Sequence, residues 1–100
     1  MARVQFEAGE LQFEWDAAKA VTNRRKHGVS FEEAATLFLD ALARVYADPD
    51  SGGSESRFLL VGFSAGRRTL VVVHVERGEY LRIIRSREAT RRELRKFQEG

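Results

Sequence analysis

The stretch from residue 13 to residue 33 constrains the fold most, because it carries the start and stop signals of a helix. Asp16 is a favourable N-cap, and the residues after it can continue as a helix to about Lys26. Gly28 can then adopt the left-handed conformation in which helices commonly end. We therefore predict one helix between Asp16 and Lys26, terminated by a glycine.

A second helix is predicted to begin directly afterwards, because Ser30 and Glu33 have the spacing of a capping box. Its apolar residues recur at the i, i+3, i+4, i+7 spacing of a buried helical face, and they are Phe31, Ala34, Ala35 and Phe38. A helix-turn-helix motif over residues 16–40 is disfavoured, since the second helix is too apolar to lie in a DNA groove. Trp15, just ahead of the first N-cap, is expected to pack as a hydrophobic staple rather than stack on a base.

Strands are predicted for most of the remaining chain, in the segments 41–47, 58–64, 69–76 and 80–84. The third segment is apolar on both faces, which is typical of a central strand. A two-residue loop at Gly78-Glu79 would pair residue 75 with residue 82 in an antiparallel hairpin. Residues 48–54 are predicted to form a flexible loop. Residues 1–10 are expected to be either part of a short strand or hairpin around Ala8-Gly9, or a loosely held N-terminus.

The last element is predicted to be a helix from about Arg87 to Gln98, with Ser86 as its N-cap. The resulting fold class is α+β, with about four antiparallel strands, two N-terminal helices and one C-terminal helix. With 100 residues and no second-domain linker, the chain is expected to form a single domain over residues 1–100.

The charges of the chain are unevenly placed. Residues 1–76 hold 9 Lys/Arg and 11 Asp/Glu, whereas residues 77–100 hold 8 and 4. All of the C-terminal cations except Lys96 are arginines, and the planar guanidinium binds phosphate in a bidentate manner. This basic end indicates an anionic partner, either nucleic acid or an acidic protein; the alternative is a solvated, salt-bridged helix surface.

Several classes of protein are disfavoured by what the sequence contains. There is no cysteine, and no apolar run approaches the roughly 18–20 residues that span a bilayer, so we expect a soluble cytoplasmic protein with no membrane partner. Neither a metal-ligand spacing, a glycine-rich phosphate loop nor a nucleophilic triad is apparent. No metal and no cofactor are therefore expected, and an enzyme of this kind would rely on acid/base groups and positive charge.

One helical face carries the polar groups best suited to chemistry. These residues fall at i, i+4, i+7 and i+8, the spacing of neighbours on a single stripe, and they are Lys19, Asn23, Lys26 and His27. Two cations, an amide and an imidazole suit a phosphate-rich substrate. His27 can act as a general acid or base near neutral pH, or it can simply bond a free carbonyl at the helix end.

The other histidine and the arginines of the strands have different settings. His74 lies within an apolar strand, so we expect a core or partly buried histidine rather than a catalytic one. Arginines near strand ends can bind a backbone phosphate and stabilise a pentavalent transition state, or can serve surface solubility; they are Arg57, Arg82, Arg85 and Arg87.

These groups match what a small metal-independent ribonuclease requires. RNA carries its own nucleophile, the 2′-hydroxyl, so the protein must align it, remove its proton and neutralise the phosphorane charge. The same groups equally suit a non-catalytic module that binds nucleic acid or protein through the basic C-terminal helix.

The order and spacing of several motifs resemble the BrnT family of bacterial type II toxins. The motifs are Phe13-Glu-Trp-Asp16, Lys19, Asn23, Lys26-His-Gly-Val-Ser-Phe-Glu-Glu-Ala34, Glu55-Ser-Arg57, Arg82-Ile-Ile84 and Arg87-Glu-Ala-Thr-Arg-Arg-Glu93. The resemblance implies a ribonuclease toxin with a RelE-like fold that blocks translation by cutting RNA. It also implies a BrnA-type antitoxin as partner, with promoter DNA bound only through the toxin–antitoxin complex.

The resemblance also suggests roles for individual residues. The candidates for the RNA-cleaving set are Lys26, His27, Arg57 and Arg82, and those for RNA binding are Lys19, Asn23, Arg85, Arg87 and Arg91. One segment departs from the family pattern: the chain has Ile83-Ile-Arg-Ser-Arg87 where the family usually has Ile-Ile-Ser-Ala-Arg. A role tied to the family's serine is therefore not transferred to Ser86.

Overall fold

The order of the secondary-structure elements shows how the chain builds its sheet. The computed structural model describes residues 2–49 and 56–99. Its strands are β1 (Arg3–Ala8), β2 (Leu11–Asp16), β3 (Arg44–Ala47), β4 (Phe58–Phe63), β5 (Thr69–Arg77) and β6 (Tyr80–Glu88). Its helices are α1 (Ala17–His27), α2 (Phe31–Ala35) and α3 (Arg91–Glu99), with a 3-10 helix at Thr36–Leu39 directly after α2. Most of the predicted loop 48–54 lies outside the described residues.

The strands form one mixed sheet in the order β1-β2-β6-β5-β4-β3. Neighbouring strands are antiparallel except β2 and β6, which run parallel over residues 12–14 and 80–82. The predicted α+β class is confirmed. The prediction of a four-stranded antiparallel sheet with two N-terminal helices is wrong, because the described chain has six strands and the hairpin β1–β2 precedes both helices. Parallel pairing of β2 with β6 depends on where α1 and α2 return the chain, which local patterns do not encode.

The predicted signals at both ends of α1 are confirmed. The Asp16 carboxylate accepts a hydrogen bond of 3.0 Å from the Lys19 N–H. At the other end Gly28 has a φ of 71°, and its N–H donates to the Arg24 carbonyl at 2.8 Å. The helix extends one residue past the predicted end at Lys26, so its last turn holds His27 as well.

The start of α2 uses only half of its predicted capping box. The Ser30 hydroxyl accepts from the Glu33 N–H at 3.0 Å, as predicted. The Glu33 carboxylate, however, accepts hydrogen bonds from the Arg68 guanidinium at 2.8 and 2.7 Å and one from the Ser64 hydroxyl at 2.7 Å. The contact with Arg68 lowers the pKa of Glu33. This cluster ties α2 to the turn between β4 and β5.

The main core lies between one face of the sheet and the helices α1 and α2. Trp15 is 1% exposed, and its ring lies 5.6 Å from that of Phe6 and 5.8 Å from that of Phe31. This packing confirms that Trp15 is structural. The predicted inner face of α2 is fully buried at Phe31, Ala34 and Ala35. In the parts of the chain that the structure describes, no helix combines the length and apolarity that crossing a membrane requires.

The hairpin β5–β6 has the predicted two-residue loop, with Val75 opposite Arg82. β6 is four residues longer than predicted. A register shift between Val73 and His74 leaves Ile84 as a bulge, since Val73 faces Arg85 and His74 faces Ile83.

The prediction that Ser86 caps a helix starting at Arg87 is wrong. Ser86 is a buried strand residue whose hydroxyl donates to the Val71 carbonyl at 3.0 Å. The helix α3 begins only at Arg91, where the Thr90 hydroxyl accepts from the Glu93 N–H at 3.1 Å and the Glu93 carboxylate accepts from the Thr90 N–H at 2.9 Å. A complete capping box four residues further along therefore sets the helix start.

Candidate functional site

A cavity of about 510 Å³ lies where the end of α1 meets the face of the sheet opposite the main core. Four predicted site residues line it together, namely Lys26, His27, Arg85 and Arg87. Apolar side chains of the sheet, including Leu59, Val71 and Val73, form much of the remaining surface. The cavity thus combines several cationic groups with a low-polarity wall, where electrostatic interactions are strengthened.

The positions of these side chains follow from their elements. Lys26 and His27 occupy the last turn of α1. Arg85 and Arg87 alternate along β6 with the buried Ser86, so both point away from the main core. In the sheet register Arg85 lies opposite Val73 and Arg87 lies opposite Val71, which puts each arginine beside a valine of the cavity.

A shallower depression of about 340 Å³ extends the cavity along α1. It is lined by Lys19 and shares Lys26, His27 and Arg85 with the cavity. The two therefore form one continuous surface. We call this surface the cationic groove and define it by Lys19, Lys26, His27, Arg85 and Arg87.

Asn23 lies on the same helical stripe and borders the depression, but it is almost entirely buried, with 6% of its surface exposed. Its amide nitrogen donates to the carbonyls of Val29 and Ser86 at 3.0 and 2.9 Å. Its amide oxygen accepts from the Ser86 N–H at 3.1 Å. The side chain is thus engaged in internal hydrogen bonds, and its role in RNA binding stays a prediction.

Arg87 is paired with an acidic residue of α3. Its guanidinium forms a bidentate contact with the Glu93 carboxylate, at 2.7 and 2.9 Å. This hydrogen bonding lowers the pKa of Glu93 to about 2 and raises the pKa of Arg87 above its ordinary value. Bidentate binding is also how a guanidinium holds a phosphate, so Glu93 uses the donors that a phosphate would use.

The other predicted site residues lie elsewhere. Arg82 is three positions before Arg85, beyond the bulge, and donates to the buried Glu14 carboxylate at 3.1 Å. Arg57 precedes β4, where its carbonyl accepts from the Asp48 N–H at 3.0 Å. Arg91 is exposed in the first turn of α3. None of these three arginines lines the cationic groove.

His74 is buried, as predicted. Its ring packs edge-on against Phe38 at 4.9 Å and lies 5.8 Å from Phe58. Burial lowers the pKa of His74, which favours the neutral imidazole. This histidine therefore belongs to the packing of the sheet and is not part of the cationic groove.

Sequence reasoning missed two acidic residues of this region. Asp48 is buried and lines the same cavity as His27, although its sequence position suggested only the start of a loop. Glu93 forms an ion pair with Arg87. The sequence could have indicated this pairing, because Thr90-x-x-Glu93 is a capping signal for a helix. That signal ends β6 before residue 90 and brings Glu93 close to the strand.

A comparison with protein-family models gives a match, over residues 15–93, to the model described as "Ribonuclease toxin, BrnT, of type II toxin-antitoxin system". The chain belongs to the BrnT family. No match was found among curated proteins. Membership of the BrnT family makes this chain a ribonuclease toxin of a type II toxin–antitoxin system, for which RNA is the substrate and an antitoxin is the partner.

The BrnT match covers all residues of the cationic groove, and it also covers Arg57, Arg82 and Arg91. Family membership therefore does not distinguish among the candidate site residues. The geometry does separate the arginines, because Arg85 and Arg87 share one surface with His27, whereas Arg57, Arg82 and Arg91 do not.

Proposed function

We propose that this chain is a metal-independent endoribonuclease that cuts RNA by general acid/base chemistry through the 2′-hydroxyl. The observation that supports the proposal is that His27, Lys26, Arg85 and Arg87 line a single cavity. The cavity is large enough for a nucleotide, and its cations suit a phosphodiester.

The proposed reaction needs no group beyond RNA and protein side chains. A base removes the proton of the 2′-hydroxyl, a bond forms between O2′ and phosphorus, and the bond between phosphorus and O5′ breaks. An acid gives its proton to the departing O5′. The products are a 2′,3′-cyclic phosphate and a 5′-hydroxyl.

We assign His27 as one of the two proton-transfer groups, because an imidazole can exchange protons near neutral pH. Lys26 is assigned to the phosphorane charge, together with Arg85 and Arg87. Lys19 would contact an adjacent phosphate of the RNA. Arg57 and Arg82 remain proposed catalytic residues, and Arg91 a proposed RNA-binding residue, on family resemblance alone.

The proposed biological setting is inhibition of translation through RNA cleavage, with neutralisation by a BrnA-type antitoxin. Promoter DNA would be bound only by the toxin–antitoxin complex. These details rest on membership of the BrnT family.

The test is RNA cleavage by the purified protein in excess EDTA, with identification of the 3′ ends. We expect cyclic phosphate ends from the wild type and a loss of at least about 100-fold in rate on His27→Ala, the scale of one acid/base group. Lys26→Ala should also lower the rate, whereas Arg25→Ala removes an exposed cation of the same helix outside the groove and should change it less than about twofold.

Cleavage that requires a divalent metal, or that persists unchanged in His27→Ala, would contradict the mechanism. Binding of RNA without cleavage would instead indicate a non-catalytic module. In that case neutralising the exposed Arg92 of α3 should weaken binding and reduce its salt dependence.

A further inference from the structure

The cationic groove is assembled from two elements that are far apart in the chain. Lys26 and His27 come from α1, and Arg85 and Arg87 come from β6. Among the described residues, every side-chain hydrogen bond that joins these two elements is made by Asn23. A single amide therefore supplies the side-chain hydrogen bonds between the two halves of the groove.

The position of Asn23 couples it to both halves. It lies three residues before Lys26 and four before His27, so the three side chains follow one another on one face of α1. Its partner Ser86 lies directly between Arg85 and Arg87 on β6. A shift of the amide would therefore move the end of α1 relative to both arginines.

The chemistry of the contact requires an amide at this position. The nitrogen supplies both of its hydrogens, one to Val29 and one to Ser86, while the oxygen accepts from the Ser86 N–H. A carboxylate would keep the acceptor but would face two carbonyl oxygens without a donor. An aliphatic side chain of similar size would lose all three bonds.

We propose that Asn23 is a positioning residue, which sets the distance between His27 and the arginines of β6 without contacting RNA. This inference rests on the proposed ribonuclease function. It replaces direct RNA binding by Asn23 with an indirect role, because the amide is buried and engaged in three internal hydrogen bonds. Misplacement of reacting groups by about 1 Å can lower a rate about 100-fold, so the expected effect is on catalysis rather than affinity.

The test compares Asn23→Leu and Asn23→Asp with Ser64→Ala as a matched control. Ser64 is also buried and makes two side-chain hydrogen bonds, to Glu33 at 2.7 Å and from the Gly66 N–H at 3.1 Å, but it lies outside the groove. Cleavage of an RNA oligonucleotide is followed in excess EDTA at a temperature where circular dichroism shows each variant to be folded. Asn23→Asp preserves the shape and the acceptor for Ser86, so it provides a second variant in which the packing around the side chain is kept.

We expect the Asn23 variants to lower kcat by about 30-fold or more while KM changes less than about threefold. Ser64→Ala should keep kcat within about twofold of the wild type. An equal kcat in the Asn23 and Ser64 variants would overturn the inference, since Asn23 would then be merely structural. A raised KM with unchanged kcat would overturn it in favour of direct RNA contact. An inactive wild type would instead reject the proposed function itself.

Discussion

The pairing of Arg87 with Glu93 leads to a quantitative prediction for the substitution Glu93→Gln. The carboxylate holds Arg87 in a bidentate contact and also accepts from the Thr90 N–H at 2.9 Å. Glutamine retains the shape and can still accept from Thr90, so the substitution removes mainly the charge. It should weaken the attachment of α3 to β6 and leave the guanidinium of Arg87 available to RNA.

The size of the effect follows from the pKa of Glu93. Lowering the pKa of Glu93 from 4.5 to about 2 would correspond to about 3 kcal/mol of stabilisation if the pair with Arg87 were fully buried. The side chains of Glu93 and Arg87 are 35% and 41% exposed, so solvent screening reduces the contribution to about 1 kcal/mol. Because the pKa is lowered in the folded state, this stabilisation is present above pH 4.5 and is lost as the pH falls towards 2.

The assay is amide hydrogen exchange of α3 at pH 7, with RNA affinity measured in parallel. We expect about fivefold less protection of the α3 amides in Glu93→Gln, which corresponds to about 1 kcal/mol, and tighter RNA binding. Glu99→Gln is the matched control, since it removes an exposed acid from the end of the same helix. Equal protection in the two variants, or RNA binding that does not differ between them, would refute the reasoning.

Two further predictions concern stability. Since burial lowers the pKa of His74 in the folded state, the free energy of unfolding should be highest above about pH 6.5 and should fall at lower pH, by at most about 1.4 kcal/mol per pH unit. Urea unfolding between pH 5 and 7.5 should show this pH dependence of the free energy of unfolding in His27→Gln but not in His74→Phe. A pH dependence that persists in His74→Phe and is absent in His27→Gln would contradict the prediction. Trp15→Ala should cost about 3–5 kcal/mol in urea unfolding, because the ring is fully packed between Phe6 and Phe31; a loss below about 1 kcal/mol would show that the packing matters little.

Local signals in the sequence predicted the helices better than the sheet. Asp16 and Gly28 specify the ends of α1 through their own backbone and side-chain preferences, so their effect is visible without tertiary structure. The parallel pairing of β2 with β6 and the bulge at Ile84 depend on contacts between distant segments. A periodic pattern contains no information about those contacts. The strand count was underestimated for another reason, since the hairpin of β1 and β2 was considered only as one alternative for the N-terminal residues.

The candidate site shows the same difference between local signals and contacts of distant segments. Helical spacing grouped Lys26 with His27, and both line one cavity. That Arg85 and Arg87 share a face of β6 was not predicted, because the strand was expected to end at residue 84 and Arg87 to begin a helix. Spacing identifies the face of an element but not its depth, so Asn23 was assigned to the surface although it is buried. Arg57 and Arg82 were grouped with His27 by resemblance, and the structure instead has Arg82 beside Glu14.

The long-range pairing of the sheet has a consequence for the synthesis of this toxin. The amide of Asn23 meets Ser86 across 63 positions of the chain, and Glu14 meets Arg82 across 68. Loops of this length close slowly, and neither contact can form until β6 has been translated. A nascent chain that ends before β6 has α1 but lacks the opposite wall of the groove. The groove would therefore be complete only when the last strand joins the sheet, after most of the chain has been synthesised.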